Sequence, residues 1–321
     1  MSGTAAETAE CVIAVDLGGT KIAVAAVDHE GRCGPVVTRP TPAHEGPDRV
    51  LAAIVDAVRQ VMDTFPTVVA VGIGAAGVID DATGTVLAAT DAITDWPGTP
   101  IAEALTQALG LPVVVDNDVN AHAVGEAWLG AGRGAGNVLM VAIGTGVGGA
   151  LVLDGQPLHG AHHVAGEIGH APARGAEHLA CGCGRTGHLE AIASGPGLLR
   201  HYHSVGGDVA VGDTREVVER ARAGDPVALR AVREAASALG TCVAGFIMLS
   251  DPDVVVVGGG LAEAGDVWWE PMEAALRSEL IDIVGQVPLR PAELGGAAAL
   301  VGAAHRAWRA TPAWSVREPA S

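Results

Sequence analysis

Two stretches of this sequence share one pattern, and the pattern limits the fold more than any single motif does. Residues 12–28 read VIAVDLGGTKIAVAAVD and residues 138–155 read VLMVAIGTGVGGALVLDG. In each, a short apolar run meets a glycine turn and resumes as a second apolar run, the mark of a β-hairpin. Its recurrence predicts two similar α/β halves. Between and after the hairpins other elements are legible. Gly46-Pro47 opens a helical pattern with Val50, Leu51, Ile54, Val58 and Val61 on one side. VVAVGIG (68–74) and LPVVVDND (111–118) read as strands, the second running into acidic residues. Thr99 is expected to cap a helix that Pro100 starts and Gly110 ends. Residues 159–197 read as a loop, 214–249 as helices, DPDVVVVGGG (251–260) as a buried strand, and the tail TPAWSVREPAS as frayed.

At 321 residues the chain can bury two cores. Its apolar content is mostly Ala and Val, with two Phe and one Tyr, which suits tightly packed α/β layers better than an aromatic binding surface. A net charge of −18 without a Lys/Arg-rich run opposes a phosphate backbone, so no nucleic-acid partner is expected. Five cysteines, an odd count, argue against a secreted disulfide framework and for a reducing cytoplasm. The start MSGTAAETAE has no signal-peptide pattern. The most apolar helical stretch, ALGTCVAGFIMLS (238–250), is expected to be a buried core helix, too short and too polar to span a bilayer, so no membrane partner is expected either.

GxGxxG occurs at Gly72–Gly77 and Gly144–Gly149, but neither fits a dinucleotide fold, where the last glycine opens a helix under the pyrophosphate. The first is followed by a turn (VIDDATGTV) and the second by a strand (ALVLDG). Glycine hairpins can instead present backbone amides to phosphate oxygens. Asp16-Leu17-Gly18-Gly19-Thr20-Lys21 adds a carboxylate able to organise Mg²⁺ through water, a hydroxyl and the single lysine of the chain. Gly144-Thr145-Gly146 adds a second hydroxyl. Each alone is equally a plain tight turn; their equivalent places favour phosphate binding, with both gripping one ATP.

Asp116-Asn117-Asp118-Val119-Asn120 has two readings. A carboxylate here could accept a proton in phosphoryl transfer, with Asn117 giving and taking hydrogen bonds to a ring hydroxyl. The same cluster could equally be a helix N-cap, a part open to Asp118 and Asn120. HLACGCGRTGHLE (178–190) also leaves choices: redox pair, catalytic centre or metal clip. Cysteines separated by one residue would close a strained ring on oxidation.

VDLGGTKIA (15–23), GIGAAG (72–77), VVDNDVNAHAVGE (114–126), IGTGVGG (143–149), GEIGH (166–170), CGCGRTGHLE (181–190) and VVVGGG (255–260) stand in the order found in bacterial sugar kinases. Over residues 11–308 the chain resembles the ROK family (repressors, open reading frames and kinases), and within it the actinobacterial glucokinases. The resemblance implies an α/β fold of the actin-like, RNase H-like ATPase type shared by hexokinase and Hsp70, two lobes around a central cleft. It places a smaller domain at 1–117 plus about 303–321 and a larger one at 118–302 that carries the loop 159–190. It makes Asp118 the catalytic aspartate facing a hexose 6-hydroxyl, and Gly77, Asn117, Glu167, His170 and Glu190 sugar contacts. Asp16, Gly18, Gly19, Thr20, Lys21, Gly144, Thr145 and Gly146 then hold Mg²⁺-ATP, with the nucleoside near Gly258, Gly259 and Gly260. The family pattern CxCGxxGC, with a preceding histidine, binds structural Zn²⁺. Here the ligands would be His170, Cys181, Cys183 and His188, with histidine in the last place instead of cysteine. Zinc accepts both donors, so a closed four-ligand site that orders the loop is expected. His170 serves the sugar as well as the metal, or the metal alone.

The implied reaction is transfer of the ATP γ-phosphate to the 6-hydroxyl of a hexose, glucose first. Amino sugars and N-acetylated hexosamines (N-acetylglucosamine, N-acetylmannosamine, 3-amino-3-deoxyglucose) stay open, because Asp91-Ala92-Ile93-Thr94-Asp95 before Trp96 adds carboxylates where glucokinases often have asparagine. A rival is a sugar-sensing regulator of the same family, but only about ten residues precede the first strand, too few for a helix-turn-helix. Relatives imply a homodimer or homotetramer.

Overall fold

A computed structural model describes residues 10–65, 67–90 and 92–312. The readings made for the first nine residues, for Asp91 and for the tail from Ala313 lie outside them. In chain order the elements are β1 (Cys11–Leu17), β2 (Lys21–Val27), β3 (Val37–Pro40), α1 (Pro47–Met62), β4 (Val68–Ala75), β5 (Val78–Asp80) and β6 (Thr85–Ala88). Next come α2 (Ile101–Leu109), β7 (Val113–Asn117), α3 (Asp118–Leu129), β8 (Asn137–Ile143), β9 (Val147–Leu153) and β10 (Gln156–Pro157). The rest is α4 (Glu190–Ala193), α5 (Gly195–Ser204), α6 (Thr214–Arg222), α7 (Pro226–Ser250), β11 (Val254–Gly258), α8 (Asp266–Glu279), β12 (Leu289–Pro291) and α9 (Ala298–Arg309).

The described chain forms two compact units. The first takes the residues up to Gly134, Gly155–Val164 and those from Gly296 onward; the second takes Ala135–Asp154 and Ala165–Gly295. In the first unit the sheet runs β3-β2-β1-β4-β7, with β1 antiparallel to β2 and parallel to β4, and β4 parallel to β7. In the second, β9, β8, β11 and β12 are neighbours in that order, with β8 antiparallel to β9 and parallel to β11, and β11 parallel to β12. Each unit is thus a hairpin extended on one side by two parallel strands. The repeat read in the sequence is a repeat of topology.

Both faces of the first sheet are covered, so its strands read as continuous apolar runs. Ile13, Val15 and Leu17 pack with Val50, Ile54 and Val58 of α1 and with Ile101 and Leu105 of α2. Val12 and Ala14 face Leu300, Ala303, Ala304 and Trp308 of α9. The α9 side is built from small residues, which brings its backbone very close. A Cβ on Gly72 would collide with the Ala303 carbonyl, one on Gly125 with that of Ala298, and one on Gly302 with that of Ala121. Helix α3 therefore lies against α9 within the first unit, and the border expected at 117/118 runs inside it.

Other differences have local causes. Thr99 does not cap α2; its buried hydroxyl donates to the Trp96 carbonyl at 2.6 Å, and Pro100 stands at the cap, while Gly110 closes the helix at φ 70° as expected. The segment expected to be short is part of α7, 25 residues long and apolar enough to cross a membrane by length and composition. Ala231, Ala235, Leu239, Val243 and Ile247 on it are buried in the core of the second unit, with Trp268 and Met272 of α8, as a core helix requires.

The crossing of α3 and α9 is tight enough to test by one methyl group. Gly302→Ala is expected to lower unfolding free energy by about 2 kcal/mol through overpacking, measured by denaturant unfolding.

Candidate functional site

In open sheets, ligands bind beyond the carboxyl ends of parallel strands. The first unit places its candidate residues there. β1 ends at Leu17, whose carbonyl accepts the Ala76 N–H at 3.0 Å just beyond β4, and β7 ends at Asn117, whose Nδ2 donates to the Gly77 carbonyl at 3.0 Å. Asp16, Gly77, Asn117 and Asp118 thus stand on three adjoining strand ends. The turn Gly18-Gly19-Thr20 is closed by the Gly18 N–H on the Lys21 carbonyl (3.0 Å) and anchored by Thr41, whose hydroxyl donates to the Gly18 carbonyl at 2.7 Å. Burial pushes the Asp16 carboxyl up, and Lys21 partly offsets this. Thr20 and Lys21 are exposed.

The Asp116–Asn120 cluster resolves into separate tasks. Asn117 is the N-cap of α3: its Oδ1 accepts from Val119 N–H (2.9 Å) and Asn120 N–H (3.1 Å). Its Nδ2 donates to Gly77 and, at 3.1 Å, to Asp118 Oδ1. Both lone pairs and both hydrogens of the amide are engaged, so a sugar hydroxyl would have to displace one of them. The cap reading belongs to Asn117, not to Asp118 or Asn120. Asp118 opens the helix, where a negative charge is favoured, and its Oδ1 is held by Asn117 and by Val119 N–H at 2.9 Å.

Behind this pair lies a group that no local pattern singled out. The Asp116 side chain, 2 % exposed, accepts from Asn120 Nδ2 (2.9 Å), contacts His159 Nε2 (3.0 Å) and pairs with Arg306 of α9. His159 and His163, read as loop residues, both reach Asp81.

The second unit gathers the remaining candidates. Gly144-Thr145-Gly146 forms the turn between β8 and β9, closed by the Gly144 N–H on the Gly146 carbonyl at 2.9 Å, and the Gly195 N–H at the start of α5 donates to the Gly144 carbonyl at 2.8 Å. Gly259, at φ 91° beyond β11, lies so close to Ile143 that a Cβ would strike its backbone. The two glycine segments read as ATP contacts are therefore neighbours. Glu190, the first residue of α4, accepts the Val147 N–H at 3.2 Å. Burial pushes the Glu167 carboxyl up; His170 pulls it down and Glu190 adds to the rise.

His170, Cys181, Cys183 and His188 each offer one ligand atom, and these four atoms lie within 4.8 Å of one another. Cys181 Sγ is 3.6 Å from His170 Nδ1 and Cys183 Sγ is 3.3 Å from His188 Nδ1. Around a tetrahedral zinc, bond lengths of about 2.3 Å to sulfur and about 2.1 Å to nitrogen put ligand atoms roughly 3.5 Å apart, so the cluster fits. His170 turns its other nitrogen, Nε2, to Glu167 at 3.7 Å, so one ring serves both the cluster and the neighbouring acid. Of the acidic stretch before Trp96, Asp95 is exposed, while Trp96 is fully buried and its Nε1 donates to the Ala76 carbonyl at 3.0 Å.

Comparison with known proteins gives one family: residues 12–309 match the model of the ROK family. The glucokinase of Streptomyces coelicolor is 36 % identical over 94 % of this chain and 98 % of its own. Among solved structures, the ROK hexokinase from Thermus thermophilus superposes with TM-score 0.83 at 38 % identity, covering 93 % of this chain and 98 % of its own. A ROK family glucokinase from Streptomyces griseus, in complex with glucose and AMPPNP, gives TM-score 0.79 at 38 % identity, covering 93 % and 99 %.

Asn117→Ala removes the α3 cap together with the hold on Asp118. It is expected to cost about 1 kcal/mol of stability, read from denaturant unfolding.

Proposed function

The chain belongs to the ROK family, with its actin-like α/β fold, and from that premise we propose that it is an ATP-dependent hexose kinase of glucokinase type. It transfers the γ-phosphoryl group of ATP to the 6-hydroxyl of a hexose. The observation that carries this reading is Asp118 at the junction of β7 and α3, with one carboxylate oxygen fixed by Asn117 and the Val119 amide. In phosphoryl transfer a protein mainly positions the reactants and stabilises charge, while one carboxylate accepts the proton of the attacking hydroxyl. Asp118 takes that proton as the sugar oxygen bonds to phosphorus and ADP departs.

The backbone amides of Gly19, Thr20, Thr145 and Gly146, the two threonine hydroxyls and Lys21 bind the phosphates, Gly18 and Gly144 close the two turns, and Asp16 orients hydrated Mg²⁺. Gly258–Gly260 flank the nucleoside. Gly77, Glu167, His170 and Glu190 bind sugar hydroxyls: a neutral polyol is recognised by convergent acceptors and donors rather than by one salt bridge. Asn117 acts mainly by orienting Asp118. Glucose is the first candidate substrate, supported by the similarity to glucokinases over nearly the whole chain. The protein acts in the cytoplasm as a homodimer or homotetramer, on small molecules and not on nucleic acid or membrane.

His170, Cys181, Cys183 and His188 would hold a structural zinc ion. Four protein ligands leave no open position, so its contribution is order. It would pin a glycine-rich loop with Glu167 at one end and Glu190 at the other.

Asp118→Asn is expected to lower kcat by about 10³-fold, with the protein still folded, in an assay of ADP formation across glucose, N-acetylglucosamine and amino sugars. Retained turnover would remove the catalytic assignment. Metal analysis is expected to find about one zinc per chain, and chelation to lower the melting temperature by roughly 5 °C together with loss of activity.

A further inference from the structure

Asp116 is a carboxylate in a place where carboxylates are costly. It is the penultimate residue of β7, and its side chain is 2 % exposed. Its Oδ1 accepts the main-chain N–H of Asn117 at 2.7 Å and the amide of Asn120, one turn into α3, at 2.9 Å. Its Oδ2 faces Arg306 Nη1 and, at 3.0 Å, His159 Nε2. Arg306 and His159 are themselves only 18 % exposed. The other ring nitrogen of His159 lies 3.4 Å from Asp81 Oδ2, and Asp81 also meets His163 Nδ1 at 3.1 Å.

Buried ion pairs of this kind seldom outdo apolar packing in stability, so stability alone does not account for this one. The geometry supplies a reason. Asp116 Oδ1 ties the last residue of β7 to the first turn of α3, and between these two tie points sit Asn117 and Asp118. Take away Arg306 or His159 and the buried carboxylate seeks a new partner, pulling on the main-chain amide of Asn117 and the side-chain amide of Asn120. Asn117 in turn carries Asp118. We propose that Arg306 and His159 are positioning residues for Asp118, acting through Asp116. The proposal rests on reading Asp118 as the proton acceptor.

The segment that carries His159 adds to this. Gly155–Val164 packs with the first unit, although the chain on either side of it belongs to the second. His159 anchors that strap at the base of the Asp118 turn, and the chain then runs directly to Glu167.

Steady-state kinetics of hexose phosphorylation would be compared for the wild type, Asp118→Asn, Arg306→Ala, Arg306→Lys, His159→Gln and Asp116→Asn, at a temperature where melting curves show all to be folded. Arg306→Ala is expected to lower kcat by about 30-fold, with both KM values within about threefold, since placement of the base matters in the transition state more than in binding. Arg306→Lys should recover most of the loss, and His159→Gln should cost about fivefold to tenfold by the same misplacement. The acid limb of the kcat/KM profile gives a readout that a merely structural role would leave unmoved. Arg306→Ala leaves an unbalanced negative charge near Asp118 and should raise that limb by about half a unit or more, whereas Asp116→Asn should lower it.

Turnover within about twofold of wild type in both Arg306→Ala and His159→Gln would overturn the proposal, as would lost turnover with an unmoved acid limb. If Arg306→Ala fails to fold, His159→Gln and Arg306→Lys decide by the same readings. An inactive Asp118→Asn beside an unaffected Arg306→Ala sinks only the positioning role. An active Asp118→Asn sinks the catalytic reading itself.

Discussion

The closeness of α9 to its neighbours is the constraint on which the first unit depends. Gly72 of β4, Gly125 of α3 and Gly302 of α9 each lie where a single Cβ would strike a backbone carbonyl. The alanines of α9 pack on Val12, Ala14 and Ala70 of the sheet, so the contact is backbone against backbone over much of its length. Interiors packed at this density transmit displacement instead of absorbing it. Because α3 rests on α9, the turn that presents Asp118 is set by this packing as much as by its own cap. Gly72, the first glycine of a GxGxxG that does not fit a dinucleotide fold, is a packing glycine.

The same helix then delivers charge. Arg306 lies on α9 only a few residues beyond Gly302, and reaches the one carboxylate of the Asp116–Asn117–Asp118 run that is fully buried. Three adjacent polar residues at a strand end divide the nearby donors between them, Asn117 and Asp118 sharing the Val119 N–H. Asp116 faces inward to Arg306 and His159, Asn117 satisfies the orphan amides of α3, and Asp118 stands at the head of the helix. Helix starts favour acids, so the placement of Asp118 is a local consequence of chain direction.

What could be read from the sequence followed the range of the forces involved. Hairpins announce themselves by apolar runs around glycine, so β1-β2 and β8-β9 were legible, and so was their recurrence. Gly110 and the pattern of α1 were legible because capping and amphipathicity are local. Thr99 misled because its hydroxyl had a closer partner, the Trp96 carbonyl, that only the folded chain supplies. Helix α9 is buried at ten of its twelve residues, Arg306 and Arg309 excepted, a depth of burial set by the packing of the folded unit. Helix α7 lies almost wholly within the stretch 214–249 that reads as helical. The network of Asp116, His159 and Arg306 joins residues from three distant parts of the chain, and no spacing rule could have assembled it.

The histidine at position 188 has a physical reading that the family pattern alone does not give. A divalent zinc with three thiolates and one imidazole would carry net charge −1; with two of each it is neutral. The cluster borders two acids: Glu167 Oε2 lies 3.7 Å from His170 Nε2, and Glu190 Oε1 lies 4.0 Å from Cys181 Sγ. Burial already pushes the Glu167 carboxyl up, and a third thiolate nearby would push it further. On the proposed zinc and sugar roles, a neutral clasp would hold the loop without adding to that charge, and His188 would trade some metal affinity for carboxylates that accept sugar hydroxyls.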